Sequence, residues 1–351
     1  MASGSLRSRQ HAVSDAHAAI ELFFERGWTD GLPVVPPTPE LVRRMVGDWE
    51  PELSLGYVPP KNGAAAVEKL AINAVMAGCE PEHFPVVVAG VRALLDERFN
   101  LNGVQSTTHM VTPLFLVNGP IRKEAGLCSG AGCFGSGFRA NATIGRALRL
   151  IMMNVGGGIP GETDKATFGH PGKFSYCAAE NEEESPWEPF HVARGLRPEE
   201  SAVTAYACEP PHNINIHSER DPFRLLTGVA GAMTSTAHNH YYVMGETLVV
   251  FSPEHAQSVA EGGWKRRDVQ YFLWEITQLP VKRLKIGGVY GPHVEKNYWP
   301  RWVDRTDEEA LVPIARAPED ILVAVAGGAG RHSLFIPGWG TRAVTQKVEM
   351  P

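Results

Sequence analysis

Apolar residues return every three or four positions through residues 14–27, SDAHAAIELFFERG, which predicts a helix capped by Ser14 or Asp15 and ended by Gly27. The extended, Pro-rich WTDGLPVVPPTPE then leads into a short helix at about 38–47, with Thr38 as cap and Pro39 at its first position. Residues 64–78 and 81–97 are apolar over more than one face, so they predict two largely buried helices with Cys79 between them. Near residue 103 the pattern changes. VQSTTHMVTPLFLVNGP alternates and is rich in β-branched residues, predicting one or two strands that end at Asn118-Gly119-Pro120. A Gly-rich loop precedes a strong helix over 138–155, and 159–200 predicts a long excursion of loops. Strands are predicted at 201–210 and 240–252 around a helix near 221–235, then helices at 253–262 and 266–278. A buried strand at 320–328 runs into a Gly loop, with a further strand at 333–337. No internal repeat is visible. This order implies an α/β or α+β fold, a mixed sheet with Gly-rich ligand loops behind an N-terminal helical part. The expected parts are 1–100 (helical) and 101–351 (mixed), which could form one continuous domain.

Composition narrows the function classes. The chain has 351 residues, 43% hydrophobic and 21% charged, which excludes a disordered or collagen-like chain. A formal net charge of -6 argues against a nucleic-acid binder that neutralises phosphates. No run approaches the roughly 18 apolar residues of a membrane span, and MASGSLRSRQHAVSD lacks the apolar core of a secretory signal. Five cysteines, an odd number, favour a reducing cytoplasm over a disulfide scaffold. The departure from average is 36 Gly and 27 Pro, gathered in short loops where backbone N–H groups can face a ligand.

Two such loops invite an anion. In CSGAGCFGSGFRANATIGRALRL (128–150), Gly130, Gly132, Gly135 and Gly137 precede a helix carrying Arg139, Asn141 and Arg146. A helix start offers unpaired N–H groups, and an arginine can grip a carboxylate or phosphate in two-pronged fashion. The string contains G-x-G-x-x-G, yet the helix runs into GGGIPGE rather than a second strand, so dinucleotide binding is rejected. The competing reading is a Gly-rich turn packing a buried helix with surface arginines. In GGAGRHS (327–333), Gly327, Gly328 and Gly330 could form an anion nest beneath Arg331 and His332; a plain tight turn is the alternative.

Thiols and imidazoles supply candidate chemistry. Cys79 at a helix start would have a lowered pKa and act as nucleophile or redox group, unless it is a small apolar filler. The spacing of Cys128 and Cys133 fits neither a redox pair nor a common zinc knuckle, and Cys177 and Cys208 read as packing. His238 and His240, placed on a strand, would point both rings to one face as metal ligands require. His212, His217 or Glu180 could complete such a site. Lys265, Arg266 and Arg267 read as a solvated helix face, and Glu182–Glu184 as a solvated loop.

Three strings, GWTDGLPVVPPTPE (27–40), LAINAVMAGCEPEHFPVVVAG (70–90) and RANATIGRALRLIMMNVGG (139–157), resemble a group of bacterial proteins, the UGSC-type (seleno)proteins. The resemblance covers most of residues 20–190. The chain contains no Cys-Gly-Ser-Cys, so the likeness does not extend to that dithiol. What it carries over is attention to Cys79, Arg139, Asn141 and Arg146, which lie inside the matching strings.

These readings converge on a cytoplasmic enzyme acting on a small carboxylate- or phosphate-bearing substrate, by thiol-assisted redox or bond-cleaving chemistry. Cys79 and His240 would be catalytic; Gly135, Gly137, Arg139, Asn141, Arg146, Gly327, Gly328, Arg331 and His332 would hold the anion. One alternative is a metal-dependent lyase or hydrolase with a divalent ion on His238 and His240. Another is a non-catalytic subunit of a hetero-oligomeric enzyme. Neither nucleic acid nor membrane is an expected partner, whereas a homo-oligomer or a partner subunit is.

Overall fold

The computed structural model describes residues 6–286 and 302–351, and its first helices begin where the sequence supplies caps. Asp15 accepts the Ala18 N–H at 2.9 Å and starts α1 (Ala16–Glu25), while Thr38 caps α2 (Pro39–Val46) with Pro39 at its first position. Next come β1 (Ser54–Val58) and β2 (Gly63–Ala66), an antiparallel pair. That pairing takes up residues 63–66, so α3 (Val67–Ala77) begins three residues later than its apolar periodicity suggests. Gly78 ends it with φ +92, a left-handed turn that glycine adopts without strain.

The chain continues through α4 (Phe84–Leu95), α5 (Leu101–Gln105), β3 (Thr112–Asn118), α6 (Ile121–Glu124), α7 (Arg139–Asn154), β4 (Cys177–Ala179), α8 (Phe190–Ala193) and β5 (Ala202–Cys208). Then follow β6 (His212–Asn215), α9 (Pro222–Met233), α10 (His240–Val243), β7 (Thr247–Phe251), α11 (Pro253–Glu261) and α12 (Arg266–Ile276). The last elements are β8 (Leu279–Pro280), α13 (Val281–Leu284), β9 (Leu311–Val312), β10 (Ile321–Val325), β11 (His332–Ile336) and β12 (Val344–Lys347).

Two expected strands are shorter than their patterns. Residues 101–105 are helical because Asn100 caps them, its side chain accepting the Gly103 N–H at 3.1 Å. Residues 240–243 form α10, and Met244 at φ 52 ends it before β7 begins.

The chain forms two compact units, and the division does not follow the change in composition near residue 100. The first takes the chain up to Ala179, His191–Tyr206 and Ala343–Pro351. Its sheet has the order β12-β5-β3-β4, with β3 and β4 parallel (Phe115 opposite Cys177) and β12 antiparallel to β5. Helices α4 and α7 approach closely at Gly90, where a Cβ would lie 2.8 Å from Leu148 Cδ1. The second unit takes Glu180–Phe190 and Ala207–Arg342. Its sheet has the order β10-β7-β11-β6, parallel only between β10 and β7, over a core that includes Leu226, Phe251, Leu273 and Phe335. Helices and mixed sheets place the fold in the α/β or α+β class. No helix among the described residues is long and apolar enough to cross a membrane.

Candidate functional site

Cys79 sits at the wrong end of a helix for an activated thiol. Its own N–H bonds back to the Ala74 carbonyl at 3.0 Å, so it closes the C-terminus of α3, the negative end of the helix dipole. The residue is buried, and that burial pushes the thiol up to about 12, the Thr143 hydroxyl and the Arg139 charge offsetting only part. The expected lowered pKa is therefore reversed, and near neutral pH the group stays protonated. Cys177 is also buried and shifted upward, with Cys79 as a neighbour, and all five cysteines are free.

The polar residues expected to hold an anion in the first unit are bonded to the protein. Arg139 donates to the Gly78 carbonyl at 3.1 Å and pairs with Glu80 at 2.5 Å. Asn141 is a clamp: its Nδ2 donates to the Cys128 and Cys133 carbonyls at 2.9 and 3.1 Å, and its Oδ1 accepts the Cys128 N–H at 2.9 Å. Arg146 meets both oxygens of Asp30 at 2.8 Å and also donates to the carbonyls of Leu32 (3.2 Å) and Pro33 (2.9 Å). Burial pulls the Asp30 carboxyl upward, but those bonds and the Arg146 charge prevail and hold it below the usual carboxylate range. Gly135 spends its N–H on the Gly132 carbonyl at 2.7 Å, and Gly137 supplies a turn at φ +107. These groups build the turn and pin the Pro-rich segment to α7. That is the work of a structural clamp.

In the second unit, the loop after β10 has its own carboxylate. Glu254 accepts the Gly330 N–H at 2.7 Å, and the Gly327 carbonyl accepts from Asn181 at 3.2 Å, with Gly328 between them. Arg331 is buried, donates to Ser258 Oγ at 3.1 Å and to the Glu219 carbonyl, and makes no ion pair among the described residues. With Arg220 it lines a polar hollow of about 440 Å³ that also carries Glu184, Glu254 and Glu261. Three carboxylates to two guanidiniums disfavour an anion there. His332 lies on β11 with its ring 5.0 Å from that of His217.

His238 and His240 stand at the start of α10, not on a strand, so alternation does not align them. Their ring centroids are still 5.2 Å apart, both against Phe335. Burial lowers both pKa values, that of the fully buried His240 furthest, so its imidazole is neutral. Among the described residues no group of three or more His, Cys, Asp or Glu could hold a metal ion. Two imidazoles supply fewer than the three protein ligands usual at a catalytic zinc. Glu180 is buried and accepts the N–H groups of Phe190 (2.6 Å) and Val325 (3.3 Å). Arg266 is likewise buried, 3.9 Å from Glu180 and 3.8 Å from Glu188, rather than solvated.

None of the sequence-derived candidates lines a cavity of about 740 Å³ within the first unit. Its walls come from α1 (Ala19, Leu22, Phe23), Trp28, Pro36–Pro39, Val42, the start of β2, α3 (Ile72, Met76) and the segment 6–13. The size lies within the roughly 300–1,000 Å³ of small-molecule sites, and the lining is mainly apolar. Two of its cations differ from those around α7 in being unspent. Arg9 and Arg26 are exposed, and their side chains make no hydrogen bond or ion pair among the described residues. Glu68, the one carboxylate in the lining, accepts the N–H groups of Arg7 and Ser8 at 3.0 and 2.8 Å. Burial raises its pKa, yet the Ser8 and Arg7 bonds outweigh that and keep it ionised, while Lys69 reaches Ser8 Oγ at 3.0 Å. His11, the one imidazole in the lining, meets Trp28 edge-on at 5.6 Å. The signal that could have found this site is α1 itself. Its apolar stripe predicts burial, but Leu22 and Phe23 remain half-exposed toward the cavity.

Against known proteins, the chain matches no family model, no curated protein and no solved structure.

Proposed function

We propose that the protein is an enzyme for a small organic anion with an apolar body, held in the cavity of the first unit. The observation that carries this reading is the pairing of an apolar lining (Phe23, Trp28, Ile72, Met76) with two guanidiniums, Arg9 and Arg26, that have no partner among the described residues. An apolar wall rewards burial of the body, and an unpaired cation at its edge favours a carboxylate, sulfonate or phosphate. The single acid of the lining, Glu68, is outnumbered there by Arg9, Arg26 and Lys69. His11 is the group placed to move a proton to or from the guest. The thiol has no part in this reading.

The test is titration with 8-anilinonaphthalene-1-sulfonate, an apolar-bodied anion that brightens when removed from water. Saturable binding of one probe per chain is expected in the native protein. Ala19→Phe and Ile72→Trp, each filling the cavity, should reduce affinity at least tenfold while leaving the circular-dichroism spectrum unchanged. Undiminished binding in both variants would refute the reading.

A further inference from the structure

Two asparagines in the cavity wall form a hydrogen-bond chain whose direction is fixed. Asn73 Nδ2 donates to the Lys69 carbonyl at 2.8 Å, which leaves Asn73 Oδ1 as an acceptor. Asn154 Nδ2 fills that acceptor at 2.8 Å and also donates to the Trp28 carbonyl at 3.0 Å. Both partners of Asn154 Nδ2 are acceptors, so the amide cannot be turned round without setting oxygen against oxygen. Asn154 Oδ1 is then an acceptor by necessity. It has no partner among the described residues, and it is not sealed in by protein.

We infer that Asn154 selects a guest bearing a hydrogen-bond donor, so that the substrate class is a hydroxylated or aminated organic acid with an apolar body. This deepens the cavity reading and rests on it. A guest that displaces water from the wall without offering a donor leaves Oδ1 desolvated and unpaired, which costs more than the bond itself contributes. A site built to receive a hydroxyl therefore discriminates against the analogue lacking one. Trp28 and Asn73 hold the receiving amide on both sides, so its position is set before any guest arrives.

The experiment uses three probes sharing one body: 3-phenylpropanoate, 3-(4-hydroxyphenyl)propanoate and 2-hydroxy-3-phenylpropanoate, each titrated calorimetrically against the full chain. At least one hydroxylated probe should bind about tenfold tighter than 3-phenylpropanoate, and Asn154→Leu should reduce that ratio to about one. The wild-type comparison stands alone should Asn154→Leu fail to fold. Equal binding of all three by the native protein overturns the inference and leaves the cavity reading intact. Failure of all three to bind at millimolar concentration overturns both.

Discussion

The segment around α7 and the cavity beside α1 both lie in the first unit and both carry arginines, yet they differ in what those arginines have left to give. Arg139 and Arg146 are matched to Glu80 and Asp30, and Arg146 adds two backbone carbonyls. Arg9 and Arg26 are matched to nothing among the described residues and stand beside an apolar hollow. A motif rich in glycine, arginine and cysteine marks a place where the backbone turns tightly and must be tied. A ligand site is marked instead by valence the protein does not fill.

The sharpest way to break this comparison is at Arg146. Arg146→Met leaves the Asp30 carboxylate, whose side chain is only 3% exposed, without its cation. Removing one partner of a mostly buried pair should cost about 3 kcal/mol, seen as a lower urea midpoint with an unchanged slope. A cost below about 0.5 kcal/mol would show that Arg146 is available to a ligand after all.

His240 gives the next largest effect. Its folded pKa lies well below the usual 6.5, so the unfolded chain takes up a proton that the folded chain refuses. Stability is therefore full above about pH 6.5 and falls as pH drops below it, by up to about 1.4 kcal/mol per unit for this one group. His240→Phe should remove that share of the pH dependence when denaturation is compared at pH 8 and pH 5. An unaltered profile would mean that the imidazole charges while buried.

Glu68 sharpens the picture of the cavity wall. Glu68→Gln keeps one acceptor but loses the charge that binds the Arg7 and Ser8 N–H groups. Faster amide exchange at residues 7 and 8 is expected, with a loss of about 1 kcal/mol or less in global stability. Slow exchange retained in the variant would show that other contacts hold the segment. The smallest stability effect belongs to Arg9→Ala and Arg26→Ala, within about 0.5 kcal/mol. In the sulfonate titration the same two variants together should weaken binding several-fold, and more at low salt than at high.

How much of this was legible beforehand follows from the kind of information each feature uses. Caps, proline positions and apolar periodicity are local, and so α1, α2, α7, α9, α11 and α12 begin and end close to their sequence signals. The strand expected over 240–252 forms only at Thr247–Phe251, because Tyr241 and Tyr242 suit a strand by propensity while the chain bends at Met244. Site residues are harder because their meaning lies in partners. Nothing in the string around Arg146 announces that Asp30, 116 positions away, will occupy it. Cys79 was placed correctly after a helix, but whether a thiol sits at the start of the next helix or at the end of the last depends on one bond to Ala74. The cavity escaped notice because it is assembled from five separate stretches that no single local pattern joins.

The most direct test of the central claim is deuterium exchange of the whole chain with and without saturating 8-anilinonaphthalene-1-sulfonate. Slower exchange confined to residues 6–13, 19–28, 36–42, 63–76 and 154–155 is the result expected of a guest in the cavity beside α1. Protection centred on 128–139 or 327–333 instead would contradict it and return the anion site to the Gly-rich loops.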